Sequence, residues 1–337
     1  MSKETHKPVI AFTVGDINGV GPELILKSLS NKKIIQLCTP IIYGSSKLIS
    51  FYKKALNINE FSYKQIVDPS DVDTRKVNLI NVLQDDLVIK PGESTEDGGK
   101  ASYLSLSRAS KDWVEGKVDG LVTAPINKQN IQSDDFKFPG HTEYLTKLAG
   151  EKDSLMLMTC SFLKLGVVTG HIPVKDVASQ ISKKSIIDKG QILHKVLKSD
   201  FGIQRPKIAV LGLNPHAGDN GLLGKEDQEI ILPAINQLKE KNILAFGPFS
   251  ADGFFGTADF KSYDGVLAMY HDQGLIPFKT LAFEEGVNFT AGMKLIRTSP
   301  DHGTAYNIAG KGVVDISSFL SAIYTVIDVL KNRKEYA

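Results

Sequence analysis

Only two of the 337 residues are cysteine, Cys38 and Cys160. A long chain with so few thiols has no disulfide framework and fits a reducing cytoplasm, with both thiols as small core residues. Charge of one sign is also lacking, since 40 lysines and arginines stand against 38 aspartates and glutamates. That balance excludes the basic field of a nucleic-acid or membrane-surface binder, so an anionic ligand must be held by local charges. No apolar run approaches the roughly 18 residues of a membrane span, and the polar start followed by the short apolar stretch 9–14 does not have the form of a secretory signal. The expected location is the cytoplasm, with no nucleic-acid or membrane partner. Both common nucleotide loops are missing too. The segment Gly15-Asp16-Ile17-Asn18-Gly19-Val20-Gly21-Pro22-Glu23 lacks the G-x-G-x-x-G order, and no G-x-x-x-x-G-K-[ST] occurs.

What remains is the composition of a folded, enzyme-sized body: 42% of residues are apolar and 23% charged, near globular averages, at a length that suggests about two domains. Short apolar runs at 9–14, 40–43, 77–82, 120–123, 154–160, 164–169, 207–213, 243–246 and 265–270 read as strands. They alternate with helical patterns at 22–29, 100–115, 183–199, 227–239 and 316–331. Such alternation marks repeated strand–helix units, and so an α/β fold on a mostly parallel sheet. No repeat, low-complexity tract or linker divides the chain, so two lobes would share strands instead of following one another. The glycine-rich stretch 91–99 reads as a turn or mobile loop, and 134–140 as another loop.

In a parallel sheet, ligands bind beyond the carboxyl ends of the strands. Three of the seven histidines, His171, His216 and His271, directly follow expected strands. Neutral imidazole is the commonest side-chain ligand for zinc and related ions, and three such ligands leave positions open for substrate or water. Each histidine is equally readable as a strand cap, and their wide separation is unlike the i, i+4 pair of zinc proteases, so spacing alone does not decide. A second cluster, Pro139-Gly140-His141-Thr142-Glu143, opens a helical pattern and suits a phosphate or carboxylate; the plainer reading is an N-cap on Thr142. Lys279, Asn288 and Arg297 lie among apolar neighbours, where a cation needs either a bound anion or a salt-bridge partner. The glycines at 15–21 make a tight strand-to-helix turn, with Pro22 suited to the first helical position and Asp16 and Asn18 as candidates for lining a site.

Taken with Thr123-Ala124-Pro125-Ile126-Asn127-Lys128, Gly170-His171-Ile172-Pro173, Leu213-Asn214-Pro215-His216-Ala217-Gly218, Tyr270-His271-Asp272-Gln273-Gly274 and Gly286-Val287-Asn288-Phe289-Thr290, these segments resemble the 4-hydroxythreonine-4-phosphate dehydrogenase family of vitamin B6 biosynthesis along nearly the whole chain. The segment 301–312, Asp301-His302-Gly303-Thr304-Ala305-Tyr306-Asn307-Ile308-Ala309-Gly310-Lys311-Gly312, is similar to the adenosine-side coenzyme loop of isopropylmalate and isocitrate dehydrogenases. The resemblance implies their two-lobed α/β/α fold, which binds a nicotinamide coenzyme without the usual Rossmann fingerprint. Residues 1–130 plus 285–337 would form the coenzyme-side lobe, and 131–284 the lobe for metal, substrate and dimerisation.

The resemblance further implies that His171, His216 and His271 hold one divalent ion (zinc, magnesium or cobalt) at a homodimer interface, with one ligand coming from the partner subunit. It implies substrate binding by His141, Thr142, Lys279, Asn288 and Arg297, and coenzyme binding by His302, Gly303, Thr304, Ala305 and Asn307. Asn307 stands where the family commonly has aspartate, and a neutral amide there removes a carboxylate's repulsion of a 2′-phosphate, so NAD and NADP both stay open. The chain also departs from the family's common pattern at Ile17-Asn18 and Met293-Lys294.

The implied reaction oxidises the secondary alcohol of 4-phosphohydroxy-L-threonine to 2-amino-3-oxo-4-phosphooxybutanoate, which loses carbon dioxide to give 3-amino-2-oxopropyl phosphate. The ion would stabilise the alkoxide and then polarise the ketone, while the bound phosphate orients the reacting carbon. The proton acceptor is unassigned among Asp252, Asp272, Lys279 and water on the metal. Two alternatives remain: a dehydrogenase for 4-phospho-D-threonate or 4-phospho-D-erythronate on the same scaffold, and a non-redox phosphoryl- or acyl-transfer enzyme, since fold does not fix function.

Overall fold

The computed structural model describes residues 7–151 and 153–336. The chain begins with β1 (Val9–Thr13), α1 (Gly21–Leu29), α2 (Lys32–Leu37), β2 (Thr39–Gly44), α3 (Ser46–Ala55), β3 (Tyr63–Ile66), β4 (Val77–Asn81), α4 (Glu96–Val114), β5 (Gly120–Thr123) and α5 (His141–Leu148). It continues through β6 (Leu155–Thr159), β7 (Lys164–Thr169), α6 (Val177–Gln180), α7 (Lys183–Ser199), β8 (Lys207–Leu211), α8 (Leu232–Glu240), β9 (Leu244–Phe249), α9 (Ala251–Gly256), β10 (Gly265–Tyr270), α10 (His271–Ala282) and β11 (Val287–Ala291). It ends with β12 (Ile296–Pro300) and α11 (Ser317–Tyr336). Two units result, one of Met1–Lys152 with Lys294–Leu330, the other of Asp153–Met293 with Lys331–Ala337.

In the first unit the strands lie in the order β3-β4-β2-β1-β5-β12, all parallel. Every residue of β1 and β2 is buried, which is why those runs are continuously apolar instead of alternating. Helix α4 lies across β1, β2 and β5; Thr95 caps it by accepting the Gly98 N–H, and Ala101, Leu106, Ala109 and Trp113 face inward. Because β1, β5 and β12 are parallel neighbours, the segments 14–20, 124–130 and 301–312 leave from the same edge.

The second unit has the order β11-β6-β7-β10-β8-β9. Its β11–β6 and β6–β7 pairs are antiparallel, and β7, β10, β8 and β9 run parallel. Helix α7 opens with a Ser182–Ser185 capping box and buries Ile186, Leu193 and Val196. The residues that follow β7, β10 and β8 again leave from one edge.

Three strands escaped the sequence reading. In β3 the residues Lys64 and Gln65 are exposed, as suits an edge strand. In β11 and β12 polar side chains are mixed with apolar ones, and Arg297, Thr298 and Ser299 are buried all the same, a burial that hydropathy does not register. The helix expected over 227–239 is instead a π turn at Asp227–Ile231 running into α8. Residues 131–151, expected in the other lobe, belong to the first unit, because Phe136 packs on Tyr103 of α4 and Tyr144 of α5, while residues 285–293 and 331–336, expected in the coenzyme-side lobe, belong to the second. The stretch 91–99, expected to be a turn or a mobile loop, opens as a turn and is pinned. Asn18 accepts the Lys90 N–H at 2.6 Å and the Gly92 N–H at 2.8 Å, and its amide donates to Thr95 Oγ1 at 2.8 Å. Among the described residues no helix is long and apolar enough to cross a membrane.

Candidate active site

Arg297 on β12 is 2% exposed. Its Nε and Nη2 both donate to Thr123 Oγ1 at the end of β5, at 3.0 and 2.7 Å. Burial pushes its pKa down to about 9, with Glu143 opposing the shift. Near it, His141 opens α5 with Nε2 buried and without a hydrogen-bond partner. Its pKa is held well below the ordinary value, first by burial and then by the charges of Arg297 and Lys128. The N-cap of α5 is Gly140, with no side-chain cap bond, so Thr142 is not the cap. A buried guanidinium beside an unpartnered imidazole at a helix N-terminus favours a bound anion. Lys128 was not singled out from the sequence, although its place just beyond an expected strand was a usable signal.

In the second unit, His171 follows β7 and His271 begins α10 at the end of β10. Their ring centroids are 5.5 Å apart. Both line an open cavity of about 230 Å³ with Ile172, Val174, Val177 and Tyr270. Thr169 Oγ1 donates to Met269 O at 2.8 Å, tying the two strand ends. His271 Nδ1 lies 2.6 Å from Asp272 Oδ1; a carboxylate accepts from Nδ1–H, which is the tautomer that leaves Nε2 of a neutral ring as the lone-pair donor toward an ion. His216 sits on its own exposed loop. Among the described residues no group of three or more histidine, cysteine, aspartate or glutamate side chains is arranged to hold a metal, so a single chain brings together two of the three expected imidazoles.

Asp252 lies in the first turn of α9. A 2.5 Å hydrogen bond from Ser250 holds its carboxyl below the usual range, and His216 adds to the effect. Lys279 is half-buried on α10, and Asn288 on β11 has its Oδ1 buried without a partner. Both belong to the second unit, whereas His141, Thr142 and Arg297 belong to the first.

The segment 301–312 is held from below by α1 and the loop before it. Val20 N–H donates to Thr304 O at 2.9 Å, and Tyr306 OH to Asp16 Oδ2 at 2.7 Å. Glu23 accepts the N–H groups of Gly310 and Gly312, and Lys27 Nζ donates to Gly312 O at 2.6 Å. The close approach explains Gly19, where a Cβ would sit 2.8 Å from Thr304 O. Asp16 and Asn18 therefore act as struts. On the segment itself, Gly303 faces open space, His302 Nε2 is buried without a partner and Ala305 adopts φ 45°. Asn307 is exposed, and its carbonyl accepts Lys311 Nζ at 2.8 Å.

The family model for the pyridoxal phosphate biosynthetic protein PdxA matches residues 36–326. The chain belongs to the PdxA family. It is 49% identical over 332 residues to the 4-hydroxythreonine-4-phosphate dehydrogenase of Bacteroides thetaiotaomicron, covering 98% of this chain and 91% of that protein. It is 40% identical over 334 residues to a protein of Oceanobacillus iheyensis provisionally named a D-threonate 4-phosphate dehydrogenase, covering 98% of this chain and 100% of that one. The crystal structure of the 4-hydroxythreonine-4-phosphate dehydrogenase of Klebsiella pneumoniae matches with a TM-score of 0.83 at 33% identity, over 97% of this chain and 99% of that one. Isocitrate dehydrogenase from Methylococcus capsulatus matches at 13% identity with a TM-score of 0.54, over 97% and 87% of the chains, which speaks to the fold alone and agrees with the expected isocitrate dehydrogenase-like class. As a PdxA-family member the chain is a dehydrogenase.

Proposed function

We propose that this chain oxidises the secondary alcohol of 4-phosphohydroxy-L-threonine with NAD or NADP to 2-amino-3-oxo-4-phosphooxybutanoate, which decarboxylates to 3-amino-2-oxopropyl phosphate, in pyridoxal 5′-phosphate biosynthesis. The observation that carries the reading is the placing of the buried Arg297 guanidinium and the His141 ring at the start of α5, with the pKa values of both groups lowered by burial, a cost that an anion such as the substrate's phosphate relieves. Thr142 and the α5 amides add donors, and Lys279 and Asn288 supply further groups for the amino acid end. Holding the phosphate away from the reacting carbon fixes its orientation. The segment 301–312, with His302, Gly303, Thr304, Ala305 and Asn307, takes the adenosine side of the coenzyme; the unpartnered His302 Nε2 and the open Gly303 backbone fit that role.

The His171–His271 pair fits a divalent ion, with the tautomer of His271 set by Asp272. His216, contributed across a homodimer, completes three ligands. Bound there, zinc, magnesium or cobalt would supply the positive charge that favours ionisation of the alcohol and electron withdrawal during decarboxylation. The alcohol's proton passes to Asp252, Asp272 or Lys279, or to water at the site. The active unit is thus a homodimer in the cytoplasm.

The Oceanobacillus relative favours a second reading, in which a 4-phosphorylated D-threonate or D-erythronate replaces the amino acid, hydroxyl for amine. One experiment separates the readings. NAD(P) reduction is followed with added divalent metal on each phosphorylated acid in turn. Preference for the amino acid supports the first reading, preference for the hydroxy acids the second, and no coenzyme reduction with any of them overturns both.

A further inference from the structure

His216, Ala217, Gly218, Asp219 and Asn220 all have positive φ, between 41° and 81°. Left-handed geometry costs a residue with a Cβ roughly 1–2 kcal/mol, so this run persists only where the surroundings over-determine it. Those surroundings centre on one buried carboxylate. Asp227, 0% exposed, accepts the Leu213 N–H at 2.8 Å, the Asn214 N–H at 3.2 Å and Asn214 Nδ2 at 2.9 Å. Gly218 comes down so close that an added Cβ would lie 3.3 Å from Asp227 Oδ2. Asp227 itself starts the π turn Asp227–Ile231, an irregularity that recurs at functional sites.

A second side chain ties this loop to the neighbouring strand. Gln273 on α10 accepts the Met269 N–H at 2.7 Å and donates to Gly212 O at 2.6 Å. It therefore joins the end of β10, which leads into His271, to the residue that leads into the His216 loop. We infer that Asp227 and Gln273 are positioning residues: Asp227 holds the left-handed run that aims His216, and Gln273 anchors the start of that loop, at Gly212, to the end of β10. The inference rests on the metal reading given above. Neither side chain needs to touch ion or substrate to matter, since groups that orient metal-binding imidazoles commonly change affinity 10- to 100-fold.

The test is titration of the metal-free full-length protein with cobalt(II), followed by calorimetry and visible absorption, without turnover. Asp227→Asn keeps the size but turns a donor toward Asn214, and Gln273→Glu keeps the acceptor for Met269 while losing the donor to Gly212. Each is expected to weaken cobalt binding about 10- to 100-fold. Each double variant with His216→Ala is expected to bind no more weakly than His216→Ala alone, because an absent ring has no aim to lose. Wild-type affinity in both single variants, or full additivity with His216→Ala, overturns the inference. A wild-type protein that takes up no cobalt overturns the metal reading and the inference with it. Should Asp227→Asn not fold, as judged by circular dichroism, the Gln273→Glu cycle decides in the same way.

Discussion

The carboxylate of Glu23, fully buried on α1, accepts the backbone N–H groups of both Gly310 and Gly312. One side chain thus closes the far end of the proposed coenzyme segment onto the first helix. Glu23→Ala leaves two amides without their charged acceptor, which costs about 2 kcal/mol of stability, measured by urea unfolding. The KM for NAD is expected to rise several-fold while the KM for the phosphorylated substrate stays near wild type. Equal changes in both constants would place the effect in general destabilisation.

A pH signature follows from His141. Its pKa is lowered in the folded protein by burial, with Arg297 and Lys128 adding to the effect. Above pH about 6.5 the imidazole is neutral in both folded and unfolded chains and contributes no slope. Below that, the unfolded chain takes a proton that the folded one refuses, so stability falls with falling pH, by at most about 1.4 kcal/mol per unit, until the folded pKa is reached. His141→Gln is expected to flatten this part of the curve. The check is the wild-type minus variant unfolding free energy between pH 7.5 and 4.5; His194, also pushed down by burial, contributes to both proteins and cancels. Identical slopes would show that His141 does not titrate as described.

Much of this was legible beforehand, and the exceptions have physical causes. Continuous apolar runs gave β1 and β2 because both faces of those strands are covered. The strand ends suggested His171, His216 and His271 on one rim; within one chain His171 and His271 lie side by side, since adjacent parallel strands deliver the residues after them to one edge, while His216 is carried on its own loop. Hydropathy missed β12, where Arg297 is buried with Thr123 as its partner; a polar residue satisfied by another polar residue leaves no mark on an apolar pattern. It also missed Glu23, Asp227 and Gln273, whose work is done on backbone groups distant in sequence. The left-handed loop around His216 was invisible for a further reason, because glycine, asparagine, aspartate and histidine admit positive φ without requiring it, and Ala217 does not favour it.

The contact between His271 and Asp272 makes the proposed ion site testable by removal and by substitution. Chelation is expected to abolish coenzyme reduction, and a divalent ion to restore it. Asp272→Asn loses the charged acceptor at Nδ1 (2.6 Å), so the ring no longer has its basicity raised, and metal affinity is expected to fall about 10- to 100-fold. Calorimetry with zinc reads this directly. An Asp272→Asn protein with wild-type zinc affinity would show that the carboxylate does not orient His271 for an ion.

On the proposed coenzyme segment, Asn307 and its neighbour four residues on make coenzyme choice testable. Asn307 is exposed, and Lys311 Nζ, 2.8 Å from its carbonyl, sets a positive charge at the same place. An amide donates to a ribose hydroxyl or a phosphate oxygen with equal ease, whereas a carboxylate accepts from the hydroxyls and repels a phosphate. The expected result is that wild-type protein uses NAD and NADP with kcat/KM values within about tenfold, roughly 1.4 kcal/mol of discrimination. Asn307→Asp should lower kcat/KM for NADP at least tenfold while leaving that for NAD within a factor of about three. Lys311→Ala should lower it for NADP alone, and by less, because an exposed charge is screened. Wild-type protein that discriminates strongly between the coenzymes, or an Asn307→Asp variant that does not, would move the adenosine site away from this segment.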